Sequence, residues 1–415
     1  CLGVTRISSI KNLDNLITSL SMVISLVSKE TSQEVVMDGL VPLLSKHSKD
    51  ILELELRLTN AFSTASTSSK YGKSPTLVSF LVQLGSDTKI IKAILSAYKE
   101  YTKITPIPKI GLIIDYEKGN VTDVSDVLSE IIALGGQIFL TKEQASNKGI
   151  LRVDIKNAGT TSIKLQSLSI NLPRLAFESN KDETYFRARL ALLMKPALSS
   201  MSLRKKDVSD LTRRGLNPIL ASNTQYMQRG SVSLVINLVG LREAVFHILG
   251  YEGNKEGKDI LYKVIDTAVS VAKKKGKETG DTVNVCMVES EGSSRFATLD
   301  GEKYGKMSIL KTIEGESYSE GIAFDAGEIS GFSAKSDKIV ECNRMAKMLD
   351  GGLLTRIKFS KDAKADEIKN IIEKASDLLS SFKPVKKVAI CGNCGLKDEK
   401  LGDKCPKCKS PYIIN

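Results

Sequence analysis

Tryptophan is absent from this chain of 415 residues, aromatic residues make up 5% of it, and it contains two histidines. Each shortage removes a class of function. A core with so few rings has to be filled by aliphatic side chains. Proteins that grip single-stranded nucleic acid interleave aromatic and basic residues, and no such interleaving occurs here. His47 and His247 lie in helical patterns with no cysteine nearby, so neither forms a Ser-His or Cys-His pair. Both read as ordinary helix residues. No stretch approaches 18 uninterrupted apolar residues, which argues against a membrane span. Residues 16–27 are apolar but broken by Thr18, Ser19, Ser21 and Ser25, the texture of a buried helix. A basic start followed by a small-residue cleavage pattern is also missing, so no signal peptide is expected. Neither a Walker loop nor GxGxxG occurs, which removes the common nucleotide fingerprints.

The remaining composition is that of a globular protein, 41% hydrophobic and 26% charged, long enough for two or three domains. Sixty Lys and Arg against 48 Asp and Glu give a net charge of +12, which favours anionic partners such as nucleotides or nucleic acid. The charge is spread thinly. Its one dense run, Lys273-Lys-Lys-Gly-Lys277, fits a helix end complementing the dipole better than a phosphate-binding patch.

The clearest chemistry is near the end: Cys391-Gly-Asn-Cys394, ten residues, then Cys405-Pro-Lys-Cys408. Two CxxC pairs at that separation are what a closed tetrahedral zinc site requires, with four thiolates at about 2.3 Å. Two disulfides or four free thiols are the alternatives. They are weaker, because four of the seven cysteines fall within 18 residues while the others are scattered. Clustering of this kind points to a reducing cytoplasm and a metal rather than to disulfides. A zinc ribbon serves nucleic-acid binders and enzyme tails alike, so ribbon plus charge leaves a nucleic-acid protein open.

Helical spacing dominates residues 8–105, with a break at Gly72-Lys-Ser-Pro75 and a further helical stretch over 77–98. Lys109-Ile-Gly-Leu-Ile-Ile-Asp115 reads as a buried strand. Strands are then expected over 137–140, 150–155, 168–172, 231–238, 282–288 and 352–359. Helices are expected over 124–133, 183–203, 241–249, 259–275 and 365–382. Such alternation predicts an α/β architecture with parallel strands.

Four segments carry more polar chemistry than packing alone requires. Ser169-Ile-Asn-Leu-Pro-Arg174 closes a strand with an amide, a Pro and an Arg. At the carboxyl end of a parallel strand those groups face the usual ligand crevice. Equally, Asn171 caps the next helix and Arg174 pairs with an acid. Gly215-Leu-Asn-Pro218 and Asn237-Leu-Val-Gly-Leu241 read as strand–turn elements. Glu289-Ser-Glu-Gly-Ser-Ser-Arg295 reads as a loop that either holds a polyhydroxylated or phosphorylated ligand or is simply solvated. Cys286 and Cys342 read as buried small hydrophobes.

Taken in order, these segments resemble the large subunit of the anaerobic (class III) ribonucleoside-triphosphate reductases, a glycyl-radical enzyme family. Ser169-Ile-Asn-Leu-Pro-Arg-Leu-Ala176 resembles the family's strand-ending INLPR element, and Ile236-Asn-Leu-Val-Gly-Leu-Arg-Glu243 its GLVGLNE element. Glu291-Gly-Ser-Ser-Arg-Phe-Ala297 with Asp300 and Lys303-Tyr-Gly305 resembles its EGTSYRLARLD…KFG stretch. Gly351-Gly-Leu-Leu-Thr355 resembles its GGT strand, and the two CxxC pairs match its C-terminal zinc site. The likeness covers about residues 150–410.

The resemblance implies a ten-stranded α/β barrel made of two antiparallel halves of five parallel strands. It divides the chain into a helical N-terminal region (1–108), a barrel core (109–385) and a zinc ribbon (386–415). It further implies radical reduction of ribonucleotides to deoxyribonucleotides, with a radical-SAM activase generating a glycyl radical that oxidises a cysteine to a thiyl. The implied ligands are ribonucleoside triphosphates and dNTP effectors. Asn171, Arg174, Asn237, Glu291 and Ser293 are the substrate-pocket candidates, and Cys391, Cys394, Cys405 and Cys408 the structural zinc ligands. Implied protein partners are the activase and a second copy or an active reductase, with no membrane.

Two family features are not matched. The radical Gly belongs beyond the second CxxC in an Arg-x-x-Gly-Tyr type segment, whereas the last glycine here is Gly402. The thiyl Cys belongs before the INLPR element, whereas no cysteine lies between Cys1 and Cys286. Three expectations follow: a fragment of a working reductase, a catalytically silent paralogue acting as a nucleotide-binding or regulatory subunit, or a relay rebuilt elsewhere. The catalytic residues themselves are not identified from the sequence.

Overall fold

The first sheet begins with four parallel strands, β1 (Glu34–Met37), β2 (Leu77–Gln83), β3 (Ile110–Tyr116) and β4 (Gln137–Lys142). The computed structural model describes residues 12–31, 34–47, 50–68, 77–117, 120–142, 163–217, 232–250, 255–290, 292–306, 317–397 and 401–414. They divide between two compact units. All seven residues of β3 are buried, as a strand covered on both faces must be. Residues 77–98 are not one helical stretch. Leu77-Val-Ser-Phe-Leu-Val82 is a strand whose two faces are both covered, so its apolar run shows neither a period of 2 nor of 3.6. The helix Thr88–Ile104 starts afresh at Asp87, whose carboxylate caps the Ile90 amide.

Further along the chain come β5 (Ile163–Asn171), β6 (Val232–Val239), β7 (Thr282–Met287), β8 (Ile322–Asp325) and β9 (Gly352–Leu353). They are followed by β10 (Thr355–Phe359) and β11 (Ser381–Lys386). The expected final helix over 365–382 stops at Leu378, and Phe382 belongs to β11, because the buried alternation of residues 381–386 is that of a strand.

The first unit takes residues up to Ala145 together with Ala323–Ser333 and Arg356–Asn415. Its sheet runs β1-β2-β3-β4-β11-β10-β8. Neighbours are parallel from β1 to β4 and again from β11 to β10, but β4 and β11 are antiparallel. Two oppositely directed parallel groups therefore meet at that seam. β2 and β3 pair across residue 108, so the N-terminal helices and the sheet belong to one unit. Helices Ile51–Ser68 and Thr88–Ile104 pack on it through the cluster Phe62, Phe80, Tyr98 and Tyr101, with centroids 5.6–6.1 Å apart. The Tyr98 hydroxyl donates to the Ile110 carbonyl at 2.6 Å, so this ring meets its polar requirement inside the core.

The second unit takes Ser146–Ile322 and Ala334–Thr355. It holds a four-stranded parallel sheet ordered β5-β6-β7-β9. All eight residues of β6 are buried. Helix Lys255–Thr279 covers β7 and packs on helix Glu183–Arg213. The expected turn at Gly215 follows this helix rather than a strand: Gly215, at φ +82°, donates to the Thr212 carbonyl and ends it. The strand expected over 150–155, the break at Gly72–Pro75 and Pro218 lie outside the described residues.

Sheet hydrogen bonding among the described residues thus gives an α/β fold with an open seven-stranded and an open four-stranded sheet. A closed ten-stranded barrel is not present in that pairing. Among the described residues, no helix is long and apolar enough to cross a membrane.

Candidate functional site

In the first unit, the expected cysteines converge. The Sγ atoms of Cys391, Cys394, Cys405 and Cys408 lie within 4.8 Å of one another, with Cys391 and Cys405 buried. Cys391 approaches Cys408 at 3.5 Å and Cys394 approaches Cys405 at 3.6 Å. A tetrahedron with arms of about 2.3 Å has edges of about 3.8 Å, so this donor set fits one ion with no position left open. Among the described residues it is the one such cluster of Cys, His, Asp or Glu.

Short strands β12 (Ile390–Cys391) and β13 (Ile413–Ile414) pair antiparallel behind the cluster, and Ala389 and Leu401 pack against it. The ribbon is tied to its own unit by Lys397. That ammonium donates to the carbonyls of Thr102 and Leu134 at 2.8 and 3.3 Å, at the ends of two helices where carbonyls lack helical partners. Burial lowers its pKa to about 8.

In the second unit the polar candidates gather at the carboxyl ends of β5, β6 and β7. Asn171, the last residue of β5, accepts the Arg174 amide at 3.1 Å and so caps the helix Leu172–Glu178. The Arg174 guanidinium pairs with Asp300, Nε at 2.6 Å and Nη2 at 2.5 Å. Both halves of the capping-and-pairing reading are therefore present. Asn171 and Arg174 also line a cavity of about 660 Å³, walled by Leu168, Leu192, Leu193 and Phe296, with Glu178 and Arg189 at its charged side. The crevice reading and the capping reading describe the same residues.

Asn237 is fully buried and acts as a stitch. Its Nδ2 donates to the Val288 carbonyl at 3.0 Å, and its Oδ1 accepts the Val288 amide at 2.9 Å. It lies in register with Ser169 on β5 and Cys286 on β7, and the Cys286 thiol donates to Oδ1 at 3.5 Å. Cys286 and Cys342 are both buried, as expected, and burial pushes the Cys342 thiol up to about 11.

Ser293 is buried at the start of helix Ser293–Tyr304 and donates to the Ser290 carbonyl at 3.3 Å. The stretch expected as a loop therefore enters a helix by Ser293. Ser290 bonds Ser169 at 2.8 Å, which joins this turn to β5. Arg295 is exposed, and Glu291 lies outside the described residues. The histidines are helical as expected: His247 packs on Phe177 at 4.0 Å, and burial lowers its pKa.

Sequence reading missed the strap Tyr318-Ser319-Glu320, which ties two helices and the turn after β7 together. Tyr318 donates to Asp300 at 2.9 Å, and the Ser319 amide and hydroxyl donate to Glu243 at 2.6 and 2.5 Å. Glu320 accepts the Ser290 amide at 2.7 Å. Burial raises the Glu243 pKa, opposed by the Ser319 bonds. Gly240, at φ +75°, donates to the Ser319 carbonyl, and a Cβ there would meet Pro173 at 2.5 Å. Asp300 and Glu243 stood inside the motifs already noted, but nothing local marked their partners.

The second unit wires polar groups across the carboxyl ends of a parallel sheet and the first carries a four-cysteine ribbon, on an α/β fold similar to that of the glycyl radical enzymes. A glycyl radical enzyme from Archaeoglobus fulgidus shares the fold at TM-score 0.60 and 12% identity, with 91% of this chain covering 62% of that one. The family model for anaerobic ribonucleoside-triphosphate reductase matches residues 107–414, the greater part of the sequence, and the chain belongs to that family.

The anaerobic ribonucleotide reductase from Thermotoga maritima with dATP in its specificity site is similar at TM-score 0.72 and 17% identity. There 98% of this chain covers 75% of that one. The same protein in complex with dATP and CTP is similar at 0.71 and 16%, with coverage of 98% and 74%. No curated protein matches the chain.

Proposed function

We propose that this chain reduces ribonucleoside triphosphates to deoxyribonucleotides by the radical chemistry of its family. The observation that carries this reading is the gathering of Asn171, Arg174, Asn237 and Ser293 at the carboxyl ends of β5 to β7, the region where parallel α/β folds bind ligands. Ligand classes follow the Thermotoga maritima protein, seen with dATP and CTP: ribonucleoside triphosphates as substrates and dNTPs as effectors. Zinc is the metal we assign to Cys391, Cys394, Cys405 and Cys408, with a structural role. Its binding holds two knuckles together and offers no open position for substrate. The antiparallel seam between β4 and β11 supports the ten-stranded barrel of two opposed halves that the family implies. A radical-SAM activase, a second copy of the chain and a cytoplasmic setting complete the proposal.

One internal observation favours a second reading. No cysteine lies between Cys1 and Cys286, the interval where the family carries its thiyl residue before the INLPR element. A chain so built would bind nucleotide as a regulatory or silent subunit. The two readings separate in one assay: the protein, an activase, a reductant and each ribonucleoside triphosphate, with deoxyribonucleotide quantified by chromatography and binding by calorimetry. Product establishes the reductase. Binding without product, in a reaction where an active reductase does turn over, establishes the silent subunit. Absence of both removes the nucleotide assignment.

A further inference from the structure

Arg174 is gripped by a carboxylate with no exposed surface. Asp300 is fully buried, and its two oxygens divide four donors between them: Oδ1 takes Nε and Nη2 of Arg174, while Oδ2 takes Nδ2 of Asn171 at 2.8 Å and the Tyr318 hydroxyl at 2.9 Å. The arginine is not consumed by this pairing. About a third of its side chain (34%) stays exposed, and it lines the 660 Å³ cavity with Asn171. A guanidinium carries five N–H donors in one rigid plane. With one edge held by Asp300, the other edge has a fixed direction, and its Nη1 donors remain for a further acceptor. A lysine at this position would have a single charged end, which Asp300 would occupy.

We propose that Asp300 is the positioning residue of a nucleotide site: it orients Arg174 so that the free edge of the guanidinium meets an anionic group of a ribonucleoside triphosphate bound in the cavity. The proposal rests on the nucleotide-binding reading above. Asn171 is fixed by the same carboxylate, so one buried acid sets two polar groups of the cavity wall. A purely structural tie between β5 and the helix Ser293–Tyr304 is the rival account.

Titration of the full chain with ATP, CTP, GTP and UTP in turn, combined with Asp300→Asn, Arg174→Ala, Arg174→Lys and the double variant Asp300→Asn/Arg174→Ala, separates the two. Positioning predicts that Arg174→Ala and Asp300→Asn each weaken binding by about tenfold, and that the double variant is no worse than either alone. Arg174→Lys should lose as much affinity as Arg174→Ala while keeping wild-type thermal stability, because its cation still pairs with Asp300. This variant also decides the matter if Asp300→Asn does not fold. Full affinity in Arg174→Lys, or losses that add in the double variant, overturns positioning in favour of the tie.

A second readout needs no nucleotide. Phenylglyoxal modification of Arg174, followed by peptide mass spectrometry, should quicken several-fold in Asp300→Asn, while exposed Arg213 is unchanged. Equal Arg174 rates in the two proteins overturn the proposal. If wild type binds none of the four nucleotides but Arg174 is released in Asp300→Asn, the nucleotide reading fails and Asp300 stands as the residue that orients Arg174.

Discussion

The four-cysteine ribbon and the Asp300 centre are both closed polar sites, and they are built in opposite ways. The ribbon draws all four ligands from residues 391–408, and its geometry follows from two local turns. The Asp300 centre draws on Asn171, Arg174 and Tyr318, which stand 129, 126 and 18 positions from Asp300 in the sequence. A local site can be read from spacing, since tight CxxC turns place their sulfurs wherever the rest of the chain goes. A dispersed site exists only once parallel strands have brought their carboxyl ends together. With the proposed zinc bound, the ribbon would draw its stability from the metal, whereas the Asp300 centre draws it from hydrogen bonds that must all form at once.

The largest effect expected from this contrast is on the ribbon. Cys405→Ser should lower bound zinc from one per chain to near zero by elemental analysis after dialysis, and residues 391–414 should become protease-sensitive. Metal binding supplies roughly 10 kcal/mol or more to such small sites, so its loss unfolds the ribbon. Helical circular dichroism should change little. Undiminished zinc in the variant would remove the four-thiol site.

The Asp300 centre should respond less, but across the whole second unit. Asp300→Ala strands the Tyr318 hydroxyl and the Asn171 amide and leaves Arg174 without its counter-ion. It should cost about 3 kcal/mol in urea denaturation. A cost below about 1 kcal/mol would mean that the four bonds are not energetically coupled.

Asn237→Ala comes next, at about 2 kcal/mol, because the Val288 amide and carbonyl lose their buried partner together. The comparison to make is with Asn284→Ala on the same strand layer, whose Lys164 partner can turn to water and whose cost should be under about 0.5 kcal/mol.

The smallest effect is a pH dependence at Glu243. Burial raises its folded-state pKa above the ordinary 4.5, so its stabilising contribution is fully present below that value and is lost as pH rises through the folded pKa. Glu243→Gln keeps an acceptor for the Ser319 amide and cannot ionise. The melting temperature of wild type relative to Glu243→Gln should therefore fall as pH rises upward from about 4.5. A flat difference from pH 4 to 8 would show that Glu243 ionises normally.

Much of the fold was legible. Isoleucine- and valine-rich runs bounded by breakers marked β3, β6 and β7, and charged amphipathic patterns marked the helices that cover them. Errors arose where a pattern carries no period. Leu77-Val-Ser-Phe-Leu-Val82, buried on both faces, was indistinguishable from buried helix, and Ser381 and Phe382, the first two residues of β11, were absorbed into the helix before it. At the candidate site, Asn171 and Arg174 were visible because Asn-Leu-Pro-Arg after a strand is both a capping signal and a crevice signal. Tyr318 was not, since a tyrosine between Ser317 and Ser319 has no local signature. Its role is set by a carboxylate 18 residues earlier, inside the helix Ser293–Tyr304.

The sequence alone determined the ribbon, because four thiols in two CxxC turns meet through local geometry, and it determined the α/β alternation, because side-chain period follows from backbone geometry. Motif order was enough to point to the reductase family. Only the tertiary structure decided that Arg174 belongs to Asp300, that Glu243 holds the Ser319 strap, and that Asn237 stitches β6 to the end of β7. Those pairings depend on which strand ends lie side by side, and burial then turns each one from an optional contact into a requirement, since a polar group cut off from water must find its partner within the protein.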